Sequence, residues 1–439
     1  MFIVKNLSHI KKVVNNINNY NMDINLKSKN GYTALMLASK YSNTESNIET
    51  VKLLLDNGAD INLKSNNGYT ALMLASKYSN TESNIETVKL LLDNGADINL
   101  KSNNDYTALM LASRYSNTES NIETVKLLLD NGADINLKDE DDYTSLMLAS
   151  KYSNTESNIE TVKLLLDNGA DINLKSNYDH TALMLASRYS NTESNIETVK
   201  LLLDNGADIN LKNYIGYTAL MLASRYSNTV SNIEIVKLLL DNGADINLKS
   251  DEGCTALMLT SKYSNTESNI ETIKLLLDNG ADINLKSNYD HTALMLASRY
   301  SNTESNIETV KLLLDNGADI NLKNCNGNSA LMLASKYLNT DSNIETIKLL
   351  LDNGADIDVK NNNGTSFYDL NEKLLNYRPK KKVYTTDKCC ICLSEYSNNQ
   401  IIIYPCGHTC CEDCYNELVK NNNKCHICKS IIKDCLLVL

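Results

Sequence analysis

The stretch GYTALMLASKYSNTESNIETVKLLLDNGADINLKSNN, Gly31 to Asn67, decides the architecture of this chain because it returns every 37 residues. The glycine of Asp-Asn-Gly-Ala-Asp falls at 58, 95, 132, 169, 206, 243, 280, 317 and 354. Ala-Leu-Met-Leu, or its Ser variant, begins at 34 and keeps the same interval up to 330. A fixed period of this size means a solenoid, in which each unit buries its apolar side against its neighbours. Within one unit, Thr33 can cap a short helix with an apolar face of Ala34, Leu35, Leu37 and Ala38. A second helix is expected from about Ser46, with Glu49 three residues on completing a capping box. Val51, Leu54 and Leu55 share one side of that helix, and Gly58 ends it by accepting a left-handed turn. Ile61 and Leu63 then run extended into an Asn-Gly turn.

Helix, helix and hairpin in series resemble the ankyrin repeat, above all through Gly-Tyr-Thr-Ala-Leu (31–35) and Leu-Leu-Leu-Asp-Asn-Gly-Ala-Asp-Ile-Asn (53–62). The resemblance implies a mainly α solenoid of helix-turn-helix-hairpin units, nine of them over 31–360. A degenerate half-repeat at 1–30 and another at 361–375 would cap its two ends, as a solenoid needs for solubility. Ala34 and Met36 stand where the family commonly has Pro and His. The unit is four residues longer than the family's usual ~33, and the connection from Tyr41 to Ser46 accommodates them. Such proteins commonly bind partners through the hairpin tips and the inner helix face. Here the tips vary, from Ser65-Asn-Asn-Gly-Tyr to Asp139-Glu-Asp-Asp-Tyr and Asn213-Tyr-Ile-Gly-Tyr. Residues 163–213 recur unchanged as 274–324, so drift after duplication competes with recognition as the cause. The wording of the 37-residue unit is similar to that of ankyrin arrays in giant DNA viruses, which implies a host cytoplasm.

A second module follows a basic linker at 376–387. The last 51 residues hold ten of the twelve cysteines. Eight metal-ligand positions stand there in order: Cys389 and Cys392, Cys406 and His408, Cys411 and Cys414, Cys425 and Cys428. Zinc takes four such ligands in a tetrahedron, so eight imply two closed, structural Zn2+ ions with no open position. Spacing favours Cys389 over Cys390 and Cys411 over Cys410, and Cys435 and His426 are read as non-ligands.

The order resembles the RING finger of C3HC4 type over 388–439, a small α+β cross-brace domain, with Tyr404-Pro-Cys-Gly-His and Cys425-His-Ile-Cys-Lys as its signature stretches. The resemblance implies Cys389, Cys392, Cys411 and Cys414 on one zinc, and Cys406, His408, Cys425 and Cys428 on the other. It further implies an E3 ubiquitin ligase without a catalytic residue of its own, acting on an E2 enzyme charged with ubiquitin through proximity and orientation. The family's E2 contacts map onto Ile391 and Leu418, with Lys429 where an arginine often clamps E2 to ubiquitin. Leu418 replaces a frequent tryptophan, and His426 the usual proline. Lysine keeps the charge but loses the planar fork of arginine. The apolar ending Leu436-Leu-Val-Leu439 is similar to the tails of dimeric RINGs, which implies a RING homodimer; a strand packed on its own RING is the other expectation.

Charge is uneven. Residues 1–375 carry 33 basic and 48 acidic side chains, and 376–439 carry 9 and 6. An acidic solenoid is a poor platform for nucleic acid, whose phosphates require Lys and Arg. No apolar run reaches the ~20 residues that span a bilayer, so neither nucleic acid nor membrane is expected as a partner. Reduced, metal-bound thiols fit the cytoplasm, or the nucleus if Lys380 to Lys382 act as a signal. The carboxylates Asp56 and Asp60 lack the pattern of a calcium loop and are read as cap and turn residues. His180 and His291, at equivalent tips of duplicated units, are read as surface residues. The resulting expectation is a RING-type ligase whose solenoid recruits a protein substrate. The alternative is a non-enzymatic ankyrin scaffold whose zinc domain serves only assembly.

Overall fold

The structure is a computed structural model. It describes residues 23–370 apart from 43–44, 80, 116–117, 154, 189–192, 228–229, 264–266, 301–303 and 337–340, together with the backbone of 401–403, 409–411 and 436–438. Nine helix pairs run through 34–352, opening with α1 (Ala34–Lys40) and α2 (Glu45–Asp56) and closing with α17 (Ala330–Lys336) and α18 (Asp341–Asp352). In every unit the first helix has seven residues and the second twelve. Each first helix packs on its own second helix and on the first helices of both neighbours, while second helices touch one another. The solenoid therefore has two layers of helices with one continuous core between them.

The first helix is set by its cap. Thr70 Oγ1 accepts from Met73 N at 3.3 Å, closing one backbone donor at the helix start. From the second unit onward Ala71 to Ser76 are all buried, so the short helix has no solvent stripe and is core on every side. The second helix begins one residue before the expected Ser46. Its cap is a threonine, as at Thr118 before Glu119–Asp130, and not the Ser-x-x-Glu box. Thr118 N donates to Asn121 Oδ1 at 3.1 Å, and Asn121 Nδ2 donates to Ser79 O at 2.6 Å and Ser79 Oγ at 2.9 Å, 42 residues back. The asparagine at the third helical position thus stays buried because it closes its own helix and reaches the preceding unit. The helix ends in a Schellman turn, with Ala59 N bonded to Leu54 O and Gly58 N to Leu55 O, and Gly58 at φ 83°.

The pentad Asp-Ile-Asn-Leu-Lys repeats because each polar member has a partner. Asp60 Oδ1 accepts from Asn62 N at 3.0 Å, Asn62 Oδ1 accepts from Asp97 N of the next unit at 2.9 Å, and Lys64 Nζ donates to Lys101 O at 2.7 Å. Asp60 is a turn residue, as read from the sequence. Ile61 and Leu63 are partly buried against the core. The expected hairpin is a closed loop without strands: Ser65 N donates to Tyr69 O at 2.9 Å, and the chain turns through Gly68 at φ 78°. Its backbone is instead linked to the next tip, Asn103 N donating to Asn67 O at 3.2 Å. Beyond the ninth pair, α19 (Phe367–Leu370) packs on α17 and buries Phe367. Residues 1–22 and 371–375, which complete the two capping segments read from the sequence, lie outside the described residues, as does the linker at 376–387.

In the C-terminal module a three-stranded antiparallel sheet is described, β1 (Ile401–Ile403), β2 (Thr409–Cys411) and β3 (Leu436–Val438), in the order β2-β1-β3. Ile401 pairs with Cys411 on one side and Val438 on the other. The apolar tail is therefore an edge strand of its own sheet.

Asn121→Ala should cost about 1–3 kcal/mol, since it strips buried donors and acceptors of their partners. Hydrogen exchange should show faster amides in Glu119–Asp130 and its immediate neighbours and unchanged protection beyond residue 219. Uniform acceleration along the whole array would refute the local role.

Candidate functional site

Each first helix ends in a basic residue followed in the sequence by a tyrosine, which forms the C-cap in the units where that residue is described, as at Lys77 and Tyr78, whose N–H donates to Leu74 O. A cation in the last turn suits the helix dipole. From Tyr78 onward each C-cap tyrosine for which contacts are described lies between the cation of its own unit and that of the preceding one. The outcome is a ladder. Lys40 Nζ lies 5.1 Å from the Tyr41 ring centroid and 5.2 Å from that of Tyr78, and Lys77 lies 5.5 Å from Tyr78 and 5.0 Å from Tyr115. Arg114 follows at 5.4 Å from Tyr115 and 4.9 Å from Tyr152, then Lys151 at 5.4 Å from Tyr152. The pattern resumes with Arg188 on Tyr226, Arg225 on Tyr226 and Tyr263, Lys262 on Tyr263 and Tyr300, and Arg299 on Tyr300. Tyrosines of the tips join from the side: Tyr69 meets Lys77 at 5.8 Å, Tyr106 meets Arg114 at 6.0 Å, and Tyr217 meets Arg225 at 5.7 Å. Cation–ring contacts of this kind are worth ~0.5–1 kcal/mol each at exposed sites.

The chemistry of this face is donor-rich. Arg114 Nη1 donates to Tyr106 Oη at 3.1 Å and Nη2 to Tyr152 Oη at 3.3 Å, which leaves each phenol its own proton to give. Burial pushes the Tyr106 and Tyr217 phenols up, against the opposing pull of Arg114 and Arg225, so both stay protonated. Where Cys254 takes the tyrosine's place, a hollow of about 310 Å3 opens beside Lys262, His291, Arg299 and Tyr300.

The variable tips divide by position. The first tip residue, whether Ser65, Asp139 or Asn213, is buried and accepts from the backbone N–H four residues on, at 3.1, 2.8 and 2.8 Å. Its variation preserves an acceptor and has a structural cause. The fourth residue is Gly, or Asp at φ 55–60° in Asp105, Asp142, Asp179 and Asp290. Exposed variation concentrates at the second and third residues, where Tyr178 and Tyr214 lie 5.3 Å apart.

Two sequence readings change here. His180 is buried and His291 half-buried, because the fifth tip residue points along the ladder and not into solvent. His180 Nε2 lies 3.2 Å from Asn213 Nδ2. Burial first, then Arg188 and Lys151, hold its imidazole below the ordinary value; burial, Arg299 and Lys262 act in the same sense on His291. The ladder itself was absent from the sequence reading. Its signal was the Lys/Arg-Tyr dipeptide at 40–41, 77–78 and onward through every unit.

Of the expected zinc ligands only Cys411 is described, by its backbone in β2. Cys389, Cys392, Cys406, His408, Cys414, Cys425 and Cys428 lie outside the described residues, as do Ile391, Leu418 and Lys429. Among the described residues no cluster of His, Cys, Asp or Glu could hold a metal ion, and no helix is long and apolar enough to cross a membrane.

Comparison with known families agrees with both modules. The family model of ankyrin repeats (3 copies) matches in overlapping windows, 1–102, 46–139, 78–176, 119–213, 146–250, 220–324 and 266–361. The model of the Ring finger domain matches residues 387–429. The chain belongs to the ankyrin-repeat family and carries a C-terminal RING finger. No curated protein matches it.

The histidines give a pH prediction. Their folded-state values lie below the unfolded value of about 6.5, so the unfolded chain binds the extra protons and stability falls as pH drops below that value. Replacing both by the tyrosine found at this position in other units (His180→Tyr with His291→Tyr) should reduce the drop in melting temperature between pH 7.5 and 5.5. An identical drop in both proteins would exclude these imidazoles as its source.

Proposed function

We propose that this chain is a RING-type E3 ubiquitin ligase, in which the solenoid holds a protein substrate and the RING presents E2-bound ubiquitin to a substrate lysine. The observation that carries the reading is the union of an ankyrin array with a matched RING finger at 387–429, a span that holds all eight ligand positions. Seven thiolates and one imidazole form a soft donor set that suits zinc. Cys389, Cys392, Cys411 and Cys414 would hold one ion, and Cys406, His408, Cys425 and Cys428 a second. With every position filled by protein, the ions supply folding energy to a small domain.

The chain contributes no atom to the bonds that change. The substrate lysine attacks the thioester carbonyl, the E2 thiolate leaves, and an isopeptide bond replaces the thioester. Ile391 and Leu418 offer E2 an apolar contact, and Lys429 offers one positive charge at the junction of E2 and ubiquitin. The gain comes from holding substrate and thioester in reach, which can lower a barrier by ~7–11 kcal/mol in well-oriented reactions. A RING homodimer is part of the proposal. Its apolar contact would be the outer edge of Leu436–Val438, and light scattering should then give twice the 48.8 kDa chain mass. The cytoplasm, where thiols stay reduced, is the compartment this chemistry suits.

Incubation with E1, a panel of E2 enzymes, ubiquitin and ATP should build polyubiquitin chains. Cys389→Ala should lower the zinc content and abolish chain growth, whereas Ile391→Ala should retain zinc and lose at least tenfold in rate. Silence of the intact protein across the E2 panel would hand the molecule to the scaffold reading.

A further inference from the structure

The cation–tyrosine ladder is more than the array needs for stability. The first helices are already buried and capped, and the ladder lies at their ends, with Tyr41 and Tyr78 exposed and the cations half-exposed. For Lys40, Lys77, Arg114, Arg225 and Lys262, no carboxylate lies within ion-pair distance among the described residues. The nearby tip carboxylates of Asp105, Asp142 and Asp179 are paired instead with Lys101, Lys138 and Lys175, at 3.6–4.0 Å. Most exposed glutamates, such as Glu86 and Glu123, stand on the second helices in the other layer; Glu140 and Glu252 are exceptions at the tips, and Glu252 lines the hollow beside Lys262 and Arg299. A solenoid that is acidic overall thus presents one face of ammonium, guanidinium and phenol donors.

We infer that this face takes an acidic, extended protein segment whose carboxylates lie along the cation–tyrosine ladder. Three features argue for it. The rings hold the cations in place, so less side-chain freedom is lost on binding than for free lysines. Guanidinium groups match carboxylates with a planar fork. The spacing also fits: Tyr78 stands 5.2 Å from Lys40 and 5.5 Å from Lys77, so successive cations are at most about 11 Å apart. An extended chain rising ~3.3 Å per residue covers that distance in three residues. The occupant would therefore carry Asp or Glu at about every third position. A nucleic acid fits less well, because the ring faces on which bases would stack are engaged by cations.

This inference rests on the solenoid binding a protein partner, and not on ligase activity. The test uses the full-length chain and fluorescence anisotropy of a labelled peptide of seven Glu-Gly-Ser triplets. The glutamate peptide should bind, its Gln-Gly-Ser counterpart should not, and high salt should release it. The combined variant Lys77→Gln, Arg114→Gln, Arg225→Gln, Lys262→Gln should weaken binding at least tenfold. A control with the same change of net charge on exposed second-helix positions, Lys89→Gln, Lys126→Gln, Lys163→Gln, Lys200→Gln, should bind like the parent. Equal weakening by both sets, binding of the glutamine peptide, or tighter binding of a single-stranded oligonucleotide of equal charge would overturn the inference. Circular dichroism reports folding of each variant, and the salt release of the parent protein tests the same point without mutation. Ubiquitin chain building by the ladder variant separates the two claims: lost peptide binding with intact chain building upholds this face alone, and no peptide binding by an active parent sinks it alone.

Discussion

No unit of this array can satisfy its own backbone. Asp97 N has its acceptor on Asn62, Lys101 O its donor on Lys64, and the buried Asn121 amide its acceptors on Ser79. These bonds span 35, 37 and 42 residues and recur at every joint for which they are described. The Asn–Asp bonds keep 2.8–2.9 Å throughout, while the lysine–carbonyl bonds lengthen from 2.7 Å to 3.2 and 3.5 Å at the last two joints. The Asn121–Ser79 bonds are buried, and leaving such a group without a partner costs ~1–3 kcal/mol. The Asp97 and Lys101 bonds lie at the surface, where water would replace them in an isolated unit, and they serve to set register. Apolar burial makes neighbours attractive, but the amide, carbonyl and ammonium partners fix how far and at what angle the next unit sits. The sidewall ladder of Lys, Arg and Tyr follows from that fixed offset, because each cation can reach the following tyrosine only if the offset is constant.

Much of this was legible, and the errors have physical reasons. Local signals read well: the threonine cap of the first helix, the glycine that ends the second, and a RING-like cysteine order, to the extent that the Ring finger family model matches 387–429. The start of the second helix misled because two cap patterns overlap there. Ser46 with Glu49 satisfies the local rule, but Thr118 with Asn121 shows the pattern that wins, since its asparagine also serves the previous unit. His180 and His291 misled in the same way: a tip position looks exposed until the neighbouring tip covers it. The pairing of Leu436–Val438 with Ile401–Ile403 could not be read from spacing, since two apolar triplets more than thirty residues apart give no register.

Net charge is an average, and here the average conceals the arrangement. The excess of carboxylates in 1–375 is real, yet the residue that closes each first helix is always Lys or Arg. The helix dipole, the tyrosine cap and the neighbouring ring all favour a cation at that point. Acids are tolerated on the other layer, where solvent screens them. A partner approaching from the two sides would therefore meet surfaces of opposite character on one molecule.

The equivalence of the joints has an evolutionary and practical reach. Since each interface is built from the same bonds, excising or inserting one block of 37 residues closes onto partners identical to those lost. Recombination between the duplicated segments 163–213 and 274–324 would remove three units in register and leave a chain with no broken contact. Array length is then almost free to change, a ruler whose number of divisions can be reset in one step. What such an event alters is how many rungs the ladder offers and how far the C-terminal module stands, in chain length, from the first of them.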